Sequence, residues 1–275
     1  MDEVQLPGGN AGGAVLVDGT VRRSAGPWTP TVHSLLRFLE VAGFDGAPRA
    51  LGIDAQGREI LSFLPGETVG DTRPWPEWVH SDGALVDVGE WLRSYHDVVV
   101  EFTPPEDAQW QMASMGTVTP GDVIGHNDAA PYNAVWLSPS GASQSSGGDP
   151  TSRLIGFVDW DFASPCAAIW DLAFVACSWV PLHARDVAAS EGFTDFDDRP
   201  RRLRLLLDAY RYDGTISVLI EAVQARLHDH IRGLKELAGA GDPLFQRLID
   251  DGAITRIERA LGELSHDART YQGIA

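Results

Sequence analysis

Between Gly121 and Trp136 the chain sets out a histidine, an aspartate and an asparagine at a spacing suited to chemistry on a hydroxyl group. His126 and Asp128 stand two apart, and Asn133 follows five residues after Asp128. The short apolar run Val123-Ile124 delivers this loop, and a second run, Ala134 to Leu137, begins directly after it. Farther on, Leu154 to Val158 leads into Asp159, with Trp160 and Asp161 behind it. Two strand ends that present Asp128, Asn133 and Asp159 toward one point would place a hydroxyl nucleophile beside a divalent cation. All-oxygen ligands of this kind favour Mg²⁺, which binds one or two carboxylates together with substrate phosphates.

The elements that must position these side chains fall into two groups. Val4 to Leu6, Ala14 to Val17 and Thr20 to Arg23 read as short strands, with a hairpin turn at Asp18-Gly19. Thr29-Pro30 opens a helix with a hydroxyl cap and a proline in the first turn. Val32, Leu35, Leu36 and Leu39 give that helix one apolar face, and Gly43 ends it. Glu59 to Leu64 reads as a further strand running into Pro65-Gly66. Beyond Gly66 the pattern turns helical: Leu85, Val88, Leu92 and Tyr95 mark one helix, and Ile169 to Trp179 a very apolar one that carries Asp171. Three amphipathic helices are predicted around Leu203–Tyr210, Ile216–Leu237 and Leu244–Leu264. The Ser- and Gly-rich stretch 138–152 lengthens the Asn133–Asp159 separation to 26 residues without disturbing either strand, because surface loops are cheap to extend. Strands followed by helices predict a two-lobed α+β protein.

The spacing His-x-Asp-x-x-x-x-Asn resembles the catalytic loop of kinases, with a later Asp on metal. Together with Asp159-Trp160-Asp161 and Trp170-Asp171-Leu172-Ala173, it is similar to the aminoglycoside phosphotransferase family. The resemblance implies a bilobal protein-kinase-like fold, with a small β-rich N-terminal lobe over 1–66, ending in a hinge, and a larger helical lobe over 67–275. It implies transfer of the γ-phosphoryl of ATP or GTP to a small-molecule hydroxyl. In that scheme Asp128 is the base, His126 shapes the loop, and Asn133 and Asp159 hold Mg²⁺. Asp171 would brace the loop by accepting hydrogen bonds from its backbone. The glycines ending at Gly12 and Gly13 would cover the phosphates, and main-chain atoms between Ser62 and Leu64 would meet the purine edge.

The N-terminal lobe departs from the family pattern. Its third strand holds no lysine; the single lysine of the chain is Lys235. An arginine must take that place, and strand alternation lets only one of Arg22 and Arg23 point into the cleft; the reading favours Arg22. The glutamate that a kinase helix offers to its lysine falls at Val32 or His33, so the ion pair is expected to be missing. That motivates an alternative of a different class, a nucleotide-binding regulator without catalysis. A metal-dependent hydrolase using the same carboxylates is a third.

Composition narrows the partners. The chain has 275 residues, 44% hydrophobic and 22% charged, as ordinary globular proteins do. A net charge of −18 argues against nucleic acid as a partner. Residues 1–66 balance to −2 and the rest carries −16, which would suit a cationic acceptor; the resemblance implies that a region such as Glu191 to Asp198 helps line the acceptor site. No apolar run approaches the ~20 residues needed to cross a bilayer, and Met1-Asp2-Glu3 does not look like a signal peptide. The expectation is a cytoplasmic protein whose Cys166 and Cys177 are reduced.

Overall fold

The computed structural model describes residues 3–6, 13–70, 73–111, 121–137 and 153–272. Gly12, with the glycine cluster before it, and the stretch 138–152 lie outside the described residues. The fold is the bilobal α+β, kinase-like one: a β-rich N-terminal region followed by a helical remainder.

Among the described residues five strands form the N-terminal sheet: β1 (Val4–Gln5), β2 (Val15–Val17), β3 (Thr20–Ser24), β4 (Ala50–Ile53) and β5 (Arg58–Ser62). Their order is β1-β2-β3-β5-β4, and every pairing is antiparallel. The β2–β3 hairpin turns where predicted, with Asp18 at φ 49° and Gly19 at φ 76°. Two successive positive φ values give the turn the twist that flanking strands require. Helix α1 (Thr29–Val41) packs Val32, Leu35, Leu36 and Leu39 against the sheet, all buried. Its N-cap is Trp28 rather than Thr29, because the Thr29 hydroxyl turns back to accept from Gly26 N–H at 2.9 Å.

Beyond the sheet, α2 (Asp82–Val99) starts on a Ser81 cap that accepts from Ala84 N–H. Two small antiparallel ladders follow: β6 (Val123–Gly125) with β9 (Ser164–Cys166), and β7 (Ala134–Leu137) with β8 (Arg153–Phe157). The helices α3 (Ala168–Trp179), α4 (Arg185–Ser190), α5 (Arg199–Tyr210), α6 (Ile216–Gly239), α7 (Pro243–Asp250) and α8 (Ala253–Gln272) complete the chain. The single helix predicted over Leu244–Leu264 is two, α7 and α8, because Gly252 at φ 83° breaks it. Close α2–α5 packing depends on Gly89, where a methyl would lie 2.8 Å from Ala209 Cβ. Both cysteines are free, and burial pushes the Cys166 thiol up to about 12. The scattered tryptophans serve packing: Trp75 and Trp136 are buried, and Trp78 lies 4.9 Å from Trp136, ring centre to ring centre.

Two backbone junctions tie the sheet region to the helical one. Glu67 and Trp136 exchange main-chain hydrogen bonds of 2.9 Å just past the predicted hinge. The Gly46 carbonyl accepts from Phe157 N–H at 3.1 Å and from Trp91 Nε1 at 3.0 Å. A methyl on Gly156 would sit 2.3 Å from that carbonyl oxygen. Gly156→Ala is therefore expected to lose about 1–3 kcal/mol by overpacking. Gly233→Ala, on an open face of α6, is expected to gain roughly 0.5–1 kcal/mol from helix propensity. Thermal unfolding of the two variants should move in opposite directions.

Candidate active site

The register Ala134↔Phe157 brings the ends of β7 and β8 together, and Val158 N–H donates to the Asn133 carbonyl at 2.9 Å. Asn133 and Asp159 thereby arrive at the same sheet end, as the alternation of apolar runs and polar residues predicts. Asp128 lies on the loop between β6 and β7. Its Oδ2 accepts from Asn133 Nδ2 at 2.8 Å, and the same amide reaches the Asp128 carbonyl at 2.9 Å. The Tyr132 hydroxyl donates to Asp128 Oδ1 at 2.8 Å. Burial raises the Asp128 carboxyl to about 7; the Tyr132 and Asn133 donors pull it down, and the charge of Asp159 pushes it up.

The loop is held from below. Asp171, wholly buried on α3, accepts from His126 N–H at 2.9 Å and Asn127 N–H at 2.8 Å. His96 on α2 bonds the same carboxylate at 3.1 Å and the Tyr210 hydroxyl at 2.8 Å. Burial works against the Asp171 charge, yet His96 and the Asn127 amide outweigh it, and its pKa lies below the usual value. Gly125 permits this approach, since a methyl there would meet Cys166 Sγ at 2.6 Å and the Asp171 carboxyl at 3.1 Å. His126 is fully buried against Trp160, and burial lowers its pKa, keeping the ring neutral. Its Nδ1 receives the Asp128 N–H at 3.3 Å. Arg226 on α6 reaches Asn127 Oδ1 and the Asn127 carbonyl at 3.1 Å each, and Trp179 Nε1 donates to the Ala129 carbonyl at 2.8 Å.

Across the cleft the arginine assignment is corrected. Arg22 turns away toward the Thr20 hydroxyl and Asp54. It is Arg23 that reaches Asp159 Oδ1, at 2.7 Å, and Asp161 Oδ1. Strand periodicity separates the two arginines onto opposite faces, but only the packed sheet decides which face meets the other lobe. Arg23 also contacts Glu59, its direct cross-strand partner and 1% exposed. His33 Nε2 bonds the other Glu59 oxygen at 2.9 Å. An arginine–glutamate pair is thus present, with its carboxylate on β5 rather than on α1. Burial disfavours the Arg23 charge, but Asp161, Glu59 and Asp159 together raise its pKa above the usual value.

The remaining candidates divide. Gly13 sits at φ 63° against the Gln5 side chain. Ser62 stays inside the ladder, donating its N–H to the Arg49 carbonyl at 2.9 Å and accepting from Arg49 N–H at 2.8 Å, so that donor is engaged within the sheet. Leu64 lies past the paired strand. In the acidic segment, Glu191 pairs with His183 at 2.8 Å and Asp198 with Arg201 at 2.7 Å, which neutralises two of its charges. Burial opposes the His183 charge, but the Cys177 side chain and Glu191 outweigh it and raise the imidazole to about 10. Sequence reading overlooked Tyr132, Glu59, His96 and Arg226 as site residues. Tyr132 was visible between Asp128 and Asn133, and Glu59 as a charge opening an apolar strand; His96 and Arg226 carry no local signal.

The predicted ligands, Asp159 and the Asn133 amide oxygen, are oxygen donors, which fit Mg²⁺. Among the described residues no group of three or more His, Cys, Asp or Glu side chains gathers around a metal position; water and substrate phosphates commonly complete a Mg²⁺ shell.

No family model matches the chain. It is 37% identical over 277 residues to the trifolitoxin immunity protein of Rhizobium leguminosarum bv. trifolii, covering 100% of this chain and 91% of that protein. Among solved structures, a choline/ethanolamine kinase family protein from Mesorhizobium loti superposes with a TM-score of 0.62 at 14% identity, over 99% of this chain and 92% of that one. A gentamicin complex of APH(2")-IIa gives 0.56 at 12% identity, over 94% and 93%. Spectinomycin phosphotransferase with ADP and spectinomycin gives 0.52 at 11% identity, over 95% and 88%. At these identities the structural likeness is one of fold.

Asp171→Ala is expected to lose about 3–5 kcal/mol, since it strands two buried N–H groups and His96; chemical denaturation measures this. The His183–Glu191 pair gives a pH test. A raised histidine stabilises fully below the unfolded value of about 6.5 and stops doing so as pH rises through about 10. Tm should therefore fall across that window in the wild type and stay flatter in His183→Gln.

Proposed function

The chain belongs to the family of the trifolitoxin immunity protein, and from that membership and its aminoglycoside-phosphotransferase-like fold we propose that it is a small-molecule kinase. It would transfer the γ-phosphoryl group of ATP or GTP to a hydroxyl of a small acceptor. The observation that carries this reading is the Asp128 carboxylate, held at both oxygens by Tyr132 and Asn133 at the end where Asp159 and Asn133 meet. A base with a pKa near 7 is suited to taking a hydroxyl proton at neutral pH.

In this mechanism Asp128 orients the acceptor hydroxyl and takes its proton. Asn133 and Asp159 would hold Mg²⁺, which offsets charge on the phosphates. His126, neutral and buried, keeps the loop in shape, and Asp171 fixes the two amides that set the direction of Asp128. Arg23, rather than Arg22, grips phosphate; Gly13 and the main chain near Leu64 border the nucleotide. Such catalysis rests on positioning and electrostatics, with little covalent work by the protein. The division of labour falls between a nucleotide lobe over 1–66 and a catalytic and acceptor lobe over 67–275. An immunity protein as relative suits an acceptor that is itself a toxic compound, and the net charge of −18 favours a cationic one. Among the described residues no helix is long and apolar enough to cross a membrane, and we place the enzyme in the cytoplasm, where nucleoside triphosphates are made.

A second reading, a nucleotide-binding regulator without turnover, is favoured by one observation: Arg23 bridges Asp159 and Asp161. The two readings part in a single experiment. Asp128→Asn is expected to lower phosphorylation of a hydroxyl acceptor by about 10²–10⁴-fold with nucleotide affinity nearly unchanged. A panel of amino alcohols, aminoglycosides and sugars with labelled ATP and GTP identifies the acceptor. Tight Mg²⁺-dependent nucleotide binding with no turnover on any acceptor would favour the regulator.

A further inference from the structure

Arg23 reaches from β3 to Asp159 and Asp161 at once, one guanidinium nitrogen on each carboxylate. Its root is firmly held. Glu59 lies directly opposite on β5, is 1% exposed, and is itself fixed by His33 from α1. The far end is held less tightly: the Asp159 side chain is 39% exposed. A divalent cation on Asp159 would compete with the guanidinium for the same oxygen, and two positive charges at that distance repel. Triphosphate oxygens offer the guanidinium an alternative partner that it can grip bidentately.

We propose that Arg23 is a stand-in cation: without nucleotide it holds the metal-site Asp159 together with the neighbouring Asp161, and it exchanges them for phosphate when nucleotide and metal arrive together. Glu59 and His33 are its positioning residues, keeping the guanidinium at the cleft in both arrangements. The inference rests on the phosphotransferase reading and deepens it. It makes metal binding conditional on nucleotide, so that metal alone is resisted.

Two affinities should then move in opposite directions when the charge is removed. Mn²⁺ is titrated into the full chain and followed by electron paramagnetic resonance; ATP and GTP with Mg²⁺ are titrated by calorimetry. Arg23→Met is expected to bind Mn²⁺ alone about tenfold more tightly than the wild type, and Mg²⁺-nucleotide about tenfold more weakly, as loss of one charge at ion-pair distance implies. Glu59→Gln, which loosens the anchor of Arg23 in both arrangements, should shift both affinities in the same directions as Arg23→Met, at smaller size. Damage to the fold would weaken both ligands together, so unchanged or weaker Mn²⁺ binding by Arg23→Met overturns the inference. Should that variant not fold, Arg23→Lys, whose single ammonium cannot span both carboxylates, is expected to show the same opposed shifts at smaller size. Its matching the wild type in both titrations overturns the inference as well. Failure of the wild type to bind either nucleotide overturns the phosphotransferase reading and the exchange with it. Nucleotide binding by the wild type with unaltered Mn²⁺ affinity in Arg23→Met overturns the stand-in alone.

Discussion

A carboxylate with no access to water sits beneath the loop that carries Asp128. Asp171 accepts two consecutive backbone amides, from His126 and Asn127, and a histidine nitrogen from His96. An ionised group buried this deeply is tolerable only when its lone pairs are met by donors. That requirement constrains everything nearby: the two amides must point down, so the peptide beyond them carries Asp128 up toward the cleft. Gly125 must be a glycine for the strand to pass so close. Asn127, at φ 62°, takes the left-handed conformation that the reversal of direction needs.

The same loop is gripped from several other elements. Arg226 on α6 ties both the side chain and the carbonyl of Asn127, stacking over Trp170 and Phe174 as it does so. Trp179 holds Ala129, and the Tyr95 hydroxyl donates to the Ile124 carbonyl. Each tie comes from a buried or half-buried helical side chain, and packing of this kind is how a loop gains the precision that catalysis by positioning demands. The helices of the larger lobe therefore hold the loop at one remove, through the backbone of residues 124–129.

On the other side of the cleft, charge does the joining. Three carboxylates and one guanidinium meet around Arg23, drawn from β3, β5 and the turn after β8. Asp159 enters that turn at φ 62°, a strained position for an aspartate that its ion pair and the strand end together maintain. Arg23 thus supplies the cation on β3, with separate nitrogens for Asp159 and Asp161, and its partner glutamate lies on the neighbouring strand β5. The substitution keeps opposite charges adjacent while altering which element supplies them.

From the chain alone one could read the hairpin at Asp18-Gly19, the amphipathic faces of α1 and α2, the run of strands before helices, and the order His126, Asp128, Asn133, Asp159 at strand ends. These are local properties: side-chain period, turn chemistry, and short-range spacing determine them without knowledge of distant neighbours. The choice between Arg22 and Arg23, the origin of the carboxylate at Glu59, and the braces from His96 and Arg226 were decided by tertiary structure. A strand has two faces that its own sequence does not rank when both carry an arginine, and a buried polar group is satisfied by whichever chain segment packing brings within about 3 Å. Those partners lie 36 (Arg23 and Glu59) to 138 (Arg23 and Asp161) residues apart in the chain, so only the folded arrangement could select them.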